Sequence, residues 1–241
     1  MPPTDAHTDP DTGPAPQAGT GPEDTPDPQL TDELLAFLEE DATVTGHCAP
    51  TSELLGRPAE WKPVTTPAGV FQLVPVRMER DLAVISRWMN DPAVAAFWEL
   101  AGAETVTAEH LRPQLDGDGR SIPCLGVLSG VPMSYWEIYR ADLDPLARHY
   151  PARPHDTGIH LLIGEVNNRG RGVGTTLLRA ASDLVFDNRP LCTRVVAEPD
   201  LRNTPSVSAF LSAGFRCSAE VELPDKRAAL MVRDRADRAL L

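Results

Sequence analysis

The residues with the clearest chemical potential in this chain lie in one run, "NNRGRGVGTTLLRA", from Asn167 to Ala180. Gly170, Gly172 and Gly174 fall at every second position, with Arg169 and Arg171 beside them. An apolar stretch, "IHLLIG", precedes the run and a helix-forming stretch follows it. At such a strand-to-helix turn the first helical N–H groups have no carbonyl partners, and the helix dipole adds partial positive charge. Glycines let the main chain come close to an anion, and the arginines add full charge. The pattern reads as a phosphate cradle. It is not a Walker loop, because Thr175 follows Gly174 with no Lys between them. Nor is it a dinucleotide fingerprint, because the spacing is G-x-G-x-G and the strand before it does not open a βαβ unit. The plain alternative is a glycine-rich turn with no ligand.

A third kind of phosphate loop fits at every defined position. Arg169-Gly170-Arg171-Gly172-Val173-Gly174 resembles the R/Q-x-x-G-x-G/A pyrophosphate loop of the GNAT acyltransferase superfamily. About 30 residues downstream, "NTPSVSAFLSAGF" resembles the superfamily segment in which an Asn opens a helix and Gly-Phe ends it; here these are Asn203, Gly214 and Phe215. One departure stands out. The superfamily often has a Tyr seven residues after that Asn to protonate the leaving thiolate, and here the position is Phe210.

A narrower resemblance covers Val76 to Met231. "RWMNDPAVAAFWE", "SYWEIYRAD", "HDTGIHLLIG" and "EPDLRN" are together similar to the acyltransferases of hydroxamate siderophore assembly, the aerobactin and mycobactin enzymes among them. Ser134 stands where that family's G-Y-x-E-x-Y motif has Gly. The resemblance implies an acyl-CoA co-substrate with no tightly bound cofactor, and a small amine or hydroxylamine acceptor on a lysine- or diamine-like chain. It implies catalytic roles for His160 and Asp200. It places the pyrophosphate on Arg169, Gly170, Arg171, Gly172, Val173, Gly174 and Thr175, includes Asn203 in the cofactor-binding set, and puts an oxyanion-binding N–H near Leu162 or Ile163.

The residues alone leave those two roles open. His160 shares a strand face with Asp156, Gly158 and Leu162, and Asp200 lies just past the next strand. An imidazole and a carboxylate converging on an amine can take up its proton. A histidine in an apolar strand is equally a hydrogen-bonded core residue, and Asp200 is equally a turn residue. Trp88, Trp98, Trp136 and Tyr139 read as core or pocket walls, and no third ligand joins His155 and His160 at metal-binding spacing. Three functions stay open: a siderophore-pathway acyltransferase, a GNAT enzyme for another amine such as an aminoglycoside or a protein N-terminus, and a non-catalytic acyl-CoA-binding module. A carrier-protein thioester is an alternative donor, and other enzymes of the pathway are candidate partners.

The elements around these residues predict one α/β (α+β) domain over 65–241. They give a mixed, mostly antiparallel sheet flanked by helices, and the resemblance implies that it is GNAT-like, with its central strands splayed at the CoA site. "VFQLVPVRM" reads as a strand and "ERDLAVISRWMND" as a helix, with Leu82, Ile85, Trp88 and Met89 at spacings of three and four. "PAVAAFWEL" opens with a helix-initiating proline, and "TAEHLRPQLDG" reads as a broken helix that stops near Asp116-Gly117. Ser129-Gly130 joins two strands as a hairpin. Strand, glycine loop, helix, strand, helix and two closing strands follow.

Residues 1–60 read differently. The first 30 hold eight prolines and six acids, which predicts a disordered leader, with one short helix over 31–40. No Lys or Arg occurs from Met1 to Gly56, against 12 Asp and Glu. Of the chain's net charge of −13, the remainder therefore carries almost none: 22 basic residues face 23 acidic ones. That balance argues against nucleic acid as a partner. Four scattered cysteines, no export signal and no long apolar run predict a cytoplasmic protein away from the membrane.

Overall fold

The computed structural model describes residues 54–240; the expected leader disorder and the helix over 31–40 fall on 1–53, outside the described residues. Eight strands form one sheet: β1 (Val64–Thr66), β2 (Gly69–Pro75), β3 (Ser121–Leu128), β4 (Val131–Arg140), β5 (Thr157–Ile163), β6 (Arg194–Ala197), β7 (Arg216–Glu222) and β8 (Arg227–Asp234). Their order across the sheet is β1-β2-β3-β4-β5-β6-β8-β7. Every pairing is antiparallel except β5 with β6, the single parallel crossover.

Side-chain alternation decides what each face of the sheet meets. On β4, Trp136 and Ile138 point into a core shared with two helices, α4 (Val173–Asn188) and α5 (Thr204–Ser212). Leu177, Leu178, Ala181 and Val185 recur on α4 at the spacing that faces the sheet. Each leucine so buried contributes roughly 2 kcal/mol. Tyr135 on the opposite face of β4 packs with Leu162 and with residues of α1 (Met78–Met89), α2 (Pro92–Trp98) and α3 (Glu104–Leu115). Tyr139 joins a third cluster with Val196, Leu230 and Val232 toward the β8 end.

Local signals explain most element boundaries. The Asp91 carboxylate accepts from the Ala93 N–H, and Pro92 follows as the first helical residue of α2. Ser129 and Gly130 both take positive φ, which closes the β3–β4 hairpin. One expectation fails: α3 is continuous through Pro113. Proline there lies in the last turn, so it costs one hydrogen bond and ends nothing. The folded part also begins earlier than residue 65. Leu55 is fully buried beside Trp61 in the main core, so the segment from Leu54 belongs to the domain. Among the described residues no helix is long and apolar enough to cross a membrane.

Candidate active site

Strands β5 and β6 part company. They pair only at Thr157 with Val195 and Gly158 with Val196. Beyond Gly158, the edge of β5 that faces β6 has no strand partner among the described residues, and a cleft of about 650 Å³ opens there. Leu161, Leu162 and Ile163 form one wall, α2 supplies Phe97 and Trp98, and α5 supplies Ser206 and Ala209.

The glycine loop closes one end of this cleft. Gly170 and Gly172 have φ of 69° and 78°, backbone angles that side chains disfavour. Gly172 caps α4 without any side-chain bond, and the first intrahelical bond is Thr176 N–H to the Gly172 carbonyl. The N–H groups of residues 173–175 therefore have no intrahelical acceptor, which suits an anion. Arg169, Gly170, Gly172, Gly174, Thr175 and Asn203 all border the cleft. Arg171 and Val173 instead border a separate hollow beside Met133.

Arg169 does not present a free charge. Its guanidinium donates to the Ile163 carbonyl at 2.9 Å, the Gly164 carbonyl at 2.8 Å and the Asp91 carboxylate at 2.9 Å. It ties the loop to the end of β5 and to the start of α2. That ion pair holds the Asp91 carboxyl below its ordinary range. Asn203 likewise caps α5 by accepting from the Ser206 N–H at 3.2 Å.

His160 sits at the centre of a charged cluster. Its Nδ1 meets Glu137 Oε2 at 2.8 Å and its Nε2 meets Glu198 Oε1. Burial disfavours the imidazolium, but Glu198 and Glu137 outweigh it and push the pKa up to about 10. His160 is thus an imidazolium bonded at both nitrogens. Burial likewise works against ionising the two glutamates; the histidines overcome it and hold both pKa values well below the ordinary range. The Tyr139 hydroxyl donates to Glu198 at 2.7 Å, and the Lys226 ammonium lies 3.8 Å from it. Tyr135, Gln114 and His110 converge on Glu137 Oε1 at 2.9, 2.8 and 2.5 Å.

Trp98 links the cluster to the cleft. It borders the cleft and meets the rings of His160 and Tyr135 edge-on at 6.2 and 5.6 Å. His160 itself is about one-third exposed. Gly158 makes room for this arrangement, because a Cβ there would lie 2.0 Å from the Tyr139 ring.

Asp200 is placed differently. Both of its oxygens are held by Arg202, which lowers its pKa, and its neighbour two residues back, Glu198, is the carboxylate that meets His160. Phe210 packs edge-on against Phe215 in the core, 5.0 Å between centroids, and does not border the cleft. The sequence reading gave no role to Glu137, Glu198, His110 and Tyr135. A usable signal was present for two of these: Tyr135, Glu137 and Tyr139 alternate with period two, so all three share one face of β4. Nothing in the sequence connects His110 to them.

Known proteins resemble this chain in sequence and fold. Residues 77–223 match the acetyltransferase (GNAT) domain family. A lysine N-acyltransferase MbtK of Mycolicibacterium paratuberculosis is 37% identical over 154 residues, 64% of this chain and 69% of that protein. An N(6)-hydroxylysine O-acetyltransferase of Escherichia coli is 36% identical over 155 residues, 64% of this chain and 49% of that protein. Among solved structures, an uncharacterized Bacillus halodurans protein, bh2621, superposes with a TM-score of 0.70 at 34% identity, over 74% of this chain and 92% of that one. The aminoglycoside acetyltransferase AAC(6')-Ib, solved with acetyl-CoA and paromomycin, superposes with a TM-score of 0.63 at 26% identity, over 69% of this chain and 94% of that one.

Proposed function

The chain belongs to the GNAT acetyltransferase family, and from that premise we propose that it moves an acyl group from CoA to the side-chain nitrogen of a lysine- or diamine-like precursor in siderophore biosynthesis. The observation that carries this reading is the parted β5–β6 edge, with unpaired N–H donors at one end and the His160 cluster joined to it through Trp98. The relatives named for lysine and hydroxylysine supply the acceptor class.

In this reading the N–H groups at the start of α4 hold the pyrophosphate, and the unpartnered edge of β5 receives the extended pantetheine arm. The acceptor nitrogen attacks the thioester carbon, and the C–S bond breaks. An N–H near Leu162 or Ile163 stabilises the oxyanion. Arg169 shapes the loop, while the charge on the phosphate side comes from backbone dipoles; Arg171 borders the separate hollow beside Met133. His160 handles protons at the acceptor end. Asp200 meets the acceptor's polar groups only by releasing Arg202, whose own side chain is largely exposed. Positioning then supplies most of the rate, in keeping with the buried Phe210.

One observation favours a second acceptor class. Glu137 and Glu198 form an acidic pair of the sort that attracts polycationic amines, and the AAC(6')-Ib fold match points the same way. Against it, histidines and tyrosines already engage both carboxylates. The deciding experiment is thiol release from acetyl-, succinyl- and long-chain acyl-CoA, with lysine, cadaverine, their N-hydroxy forms and kanamycin as acceptors. Turnover with lysine-type acceptors is expected. Turnover with kanamycin alone selects the second class, and CoA binding without turnover on any acceptor overturns the enzyme reading.

A further inference from the structure

We propose that Trp98 limits the acyl group: its ring closes the end of the cleft opposite the phosphate loop and restricts the donor to short acyl chains. The inference rests on the acyl-transfer reading above and adds the class of donor.

The cleft has a direction. Arg169 donates to the carbonyls of Ile163 and Gly164, so the loop lies at the C-terminal end of β5. From Ile163 back to His160 that strand covers about 10 Å. Helix α2 runs a similar length beside it, since its seven residues rise about 10 Å. Its N-cap Asp91 accepts from Arg169 at 2.9 Å, and its last residue, Trp98, meets the His160 ring at 6.2 Å between centroids. Trp98, Leu161 and Leu162 line this far part of the cleft, and all three are apolar. A thioester with its pyrophosphate on the loop and its arm along β5 points its acyl group toward Trp98.

The space behind the ring is taken. Tyr135 and His110 meet Trp98 edge-on at 5.6 and 6.4 Å, as His160 does. Tyr135 is fully buried, and its hydroxyl donates to Glu137, on which His160, His110 and Gln114 also converge. An alkyl chain entering here would break buried hydrogen bonds that it cannot replace.

The helix that carries the ring is held as well. Asn90 clasps Gly102: its Nδ2 donates to the Gly102 carbonyl at 2.9 Å, and its Oδ1 accepts from the Gly102 N–H at 3.0 Å. The segment bearing α2 thus leaves and rejoins the fold at one point. Between these residues Asp91 is tied to the loop, and Val94 is buried among the residues of the α1–α3 core. Trp98 is therefore a fixed wall. A longer chain that turns outward instead passes Phe97, which is 37% exposed, and keeps its outer carbons in water.

The test is a donor series. Initial rates of purified full-length enzyme are measured with acetyl-, butyryl-, hexanoyl- and octanoyl-CoA below their micelle thresholds, with lysine and N-hydroxylysine as acceptors, for wild type, Trp98→Phe and Trp98→Ala. Wild-type kcat/KM is expected to fall by about tenfold or more from acetyl to octanoyl, the scale on which a closed apolar pocket rejects added methylenes. Trp98→Ala should raise the octanoyl-to-acetyl ratio by about tenfold or more, and Trp98→Phe by less. The ratio is the readout because the loss of Trp98 also disturbs His160, which lowers the rate with every donor alike. A wild type that uses octanoyl-CoA as well as acetyl-CoA overturns the proposal, as does a ratio that Trp98→Ala leaves unchanged. Should Trp98→Ala fail to fold, Trp98→Phe decides in its place. Absence of turnover with every donor overturns the acyl-transfer reading, and the same series is then measured as binding. Affinity that falls with chain length in wild type and recovers in the variants upholds the limit; a flat series overturns it.

Discussion

Glu198 shows how much one side chain can organise. It meets His160, Tyr139 and Lys226 at once, and with Glu137 it keeps the imidazole charged. This has a stability consequence with a definite sign. The His160 pKa rises from 6.5 to about 10 on folding, so its contribution is complete below pH 6.5 and is lost as pH rises through about 10. The two glutamates act oppositely: their contribution is present above their ordinary pKa of 4.5 and is lost as pH falls through the depressed folded values. Thermal denaturation should therefore show a melting temperature that declines from pH 7 toward 10. His160→Gln should flatten that decline; an unchanged slope would remove His160 from the explanation. At this scale the sequence was only half legible. The glycines were visible because their spacing is local, whereas His160 was singled out only by the family resemblance. Glu198 was given no role, because which side chains past the end of β6 turn toward β5 depends on how two distant strands part.

The strand–loop–helix unit around Gly170 was readable as an element, since apolar run, glycines and helix formers follow one another without interruption. What the sequence did not disclose is the job of its first arginine. Arg169 spans from the end of β5 to the N-cap of α2 with its whole planar fork, so it belongs to the scaffold of the loop. Lysine cannot reproduce three diverging bonds. Arg169→Lys is expected to raise the KM for acyl-CoA by about tenfold, in line with the loss of one to two charge-assisted hydrogen bonds. The acceptor KM should move little. An acyl-CoA KM equal to wild type would show that the loop holds its shape without the fork. The continuity of α3 through Pro113 had no local signal either. A proline's effect depends on how many turns remain after it, and that is set by where tertiary packing ends the helix.

For the molecule as a whole, the mixed, mostly antiparallel sheet followed from the order of elements, whereas the strand order across it, the short β1 and the domain boundary did not. Composition changes late, after the acidic stretch, but Leu55 already lies in the core and the Leu54 carbonyl accepts from Arg189 at 3.0 Å. Removal of residues 1–53 is expected to leave the melting temperature and CoA binding near those of the full chain. Removal of 1–61 takes Leu55 and Trp61 out of the core, a loss of about 3–5 kcal/mol or more for two large buried side chains. Equal melting temperatures for the two truncations would show that the segment adds nothing to the fold.

The seam between β5 and β6 has one further consequence. At its closed end, Arg194 at the start of β6 is bonded to the fully buried Asp156 just ahead of β5, next to the only two residue pairs the strands share. The strands therefore part from one narrow join, and the cleft opens away from it. Changes at Thr157, Cys192 or Arg194, none of which borders the cleft, are expected to alter the width of the gap between β5 and β6 without touching anything that lines it.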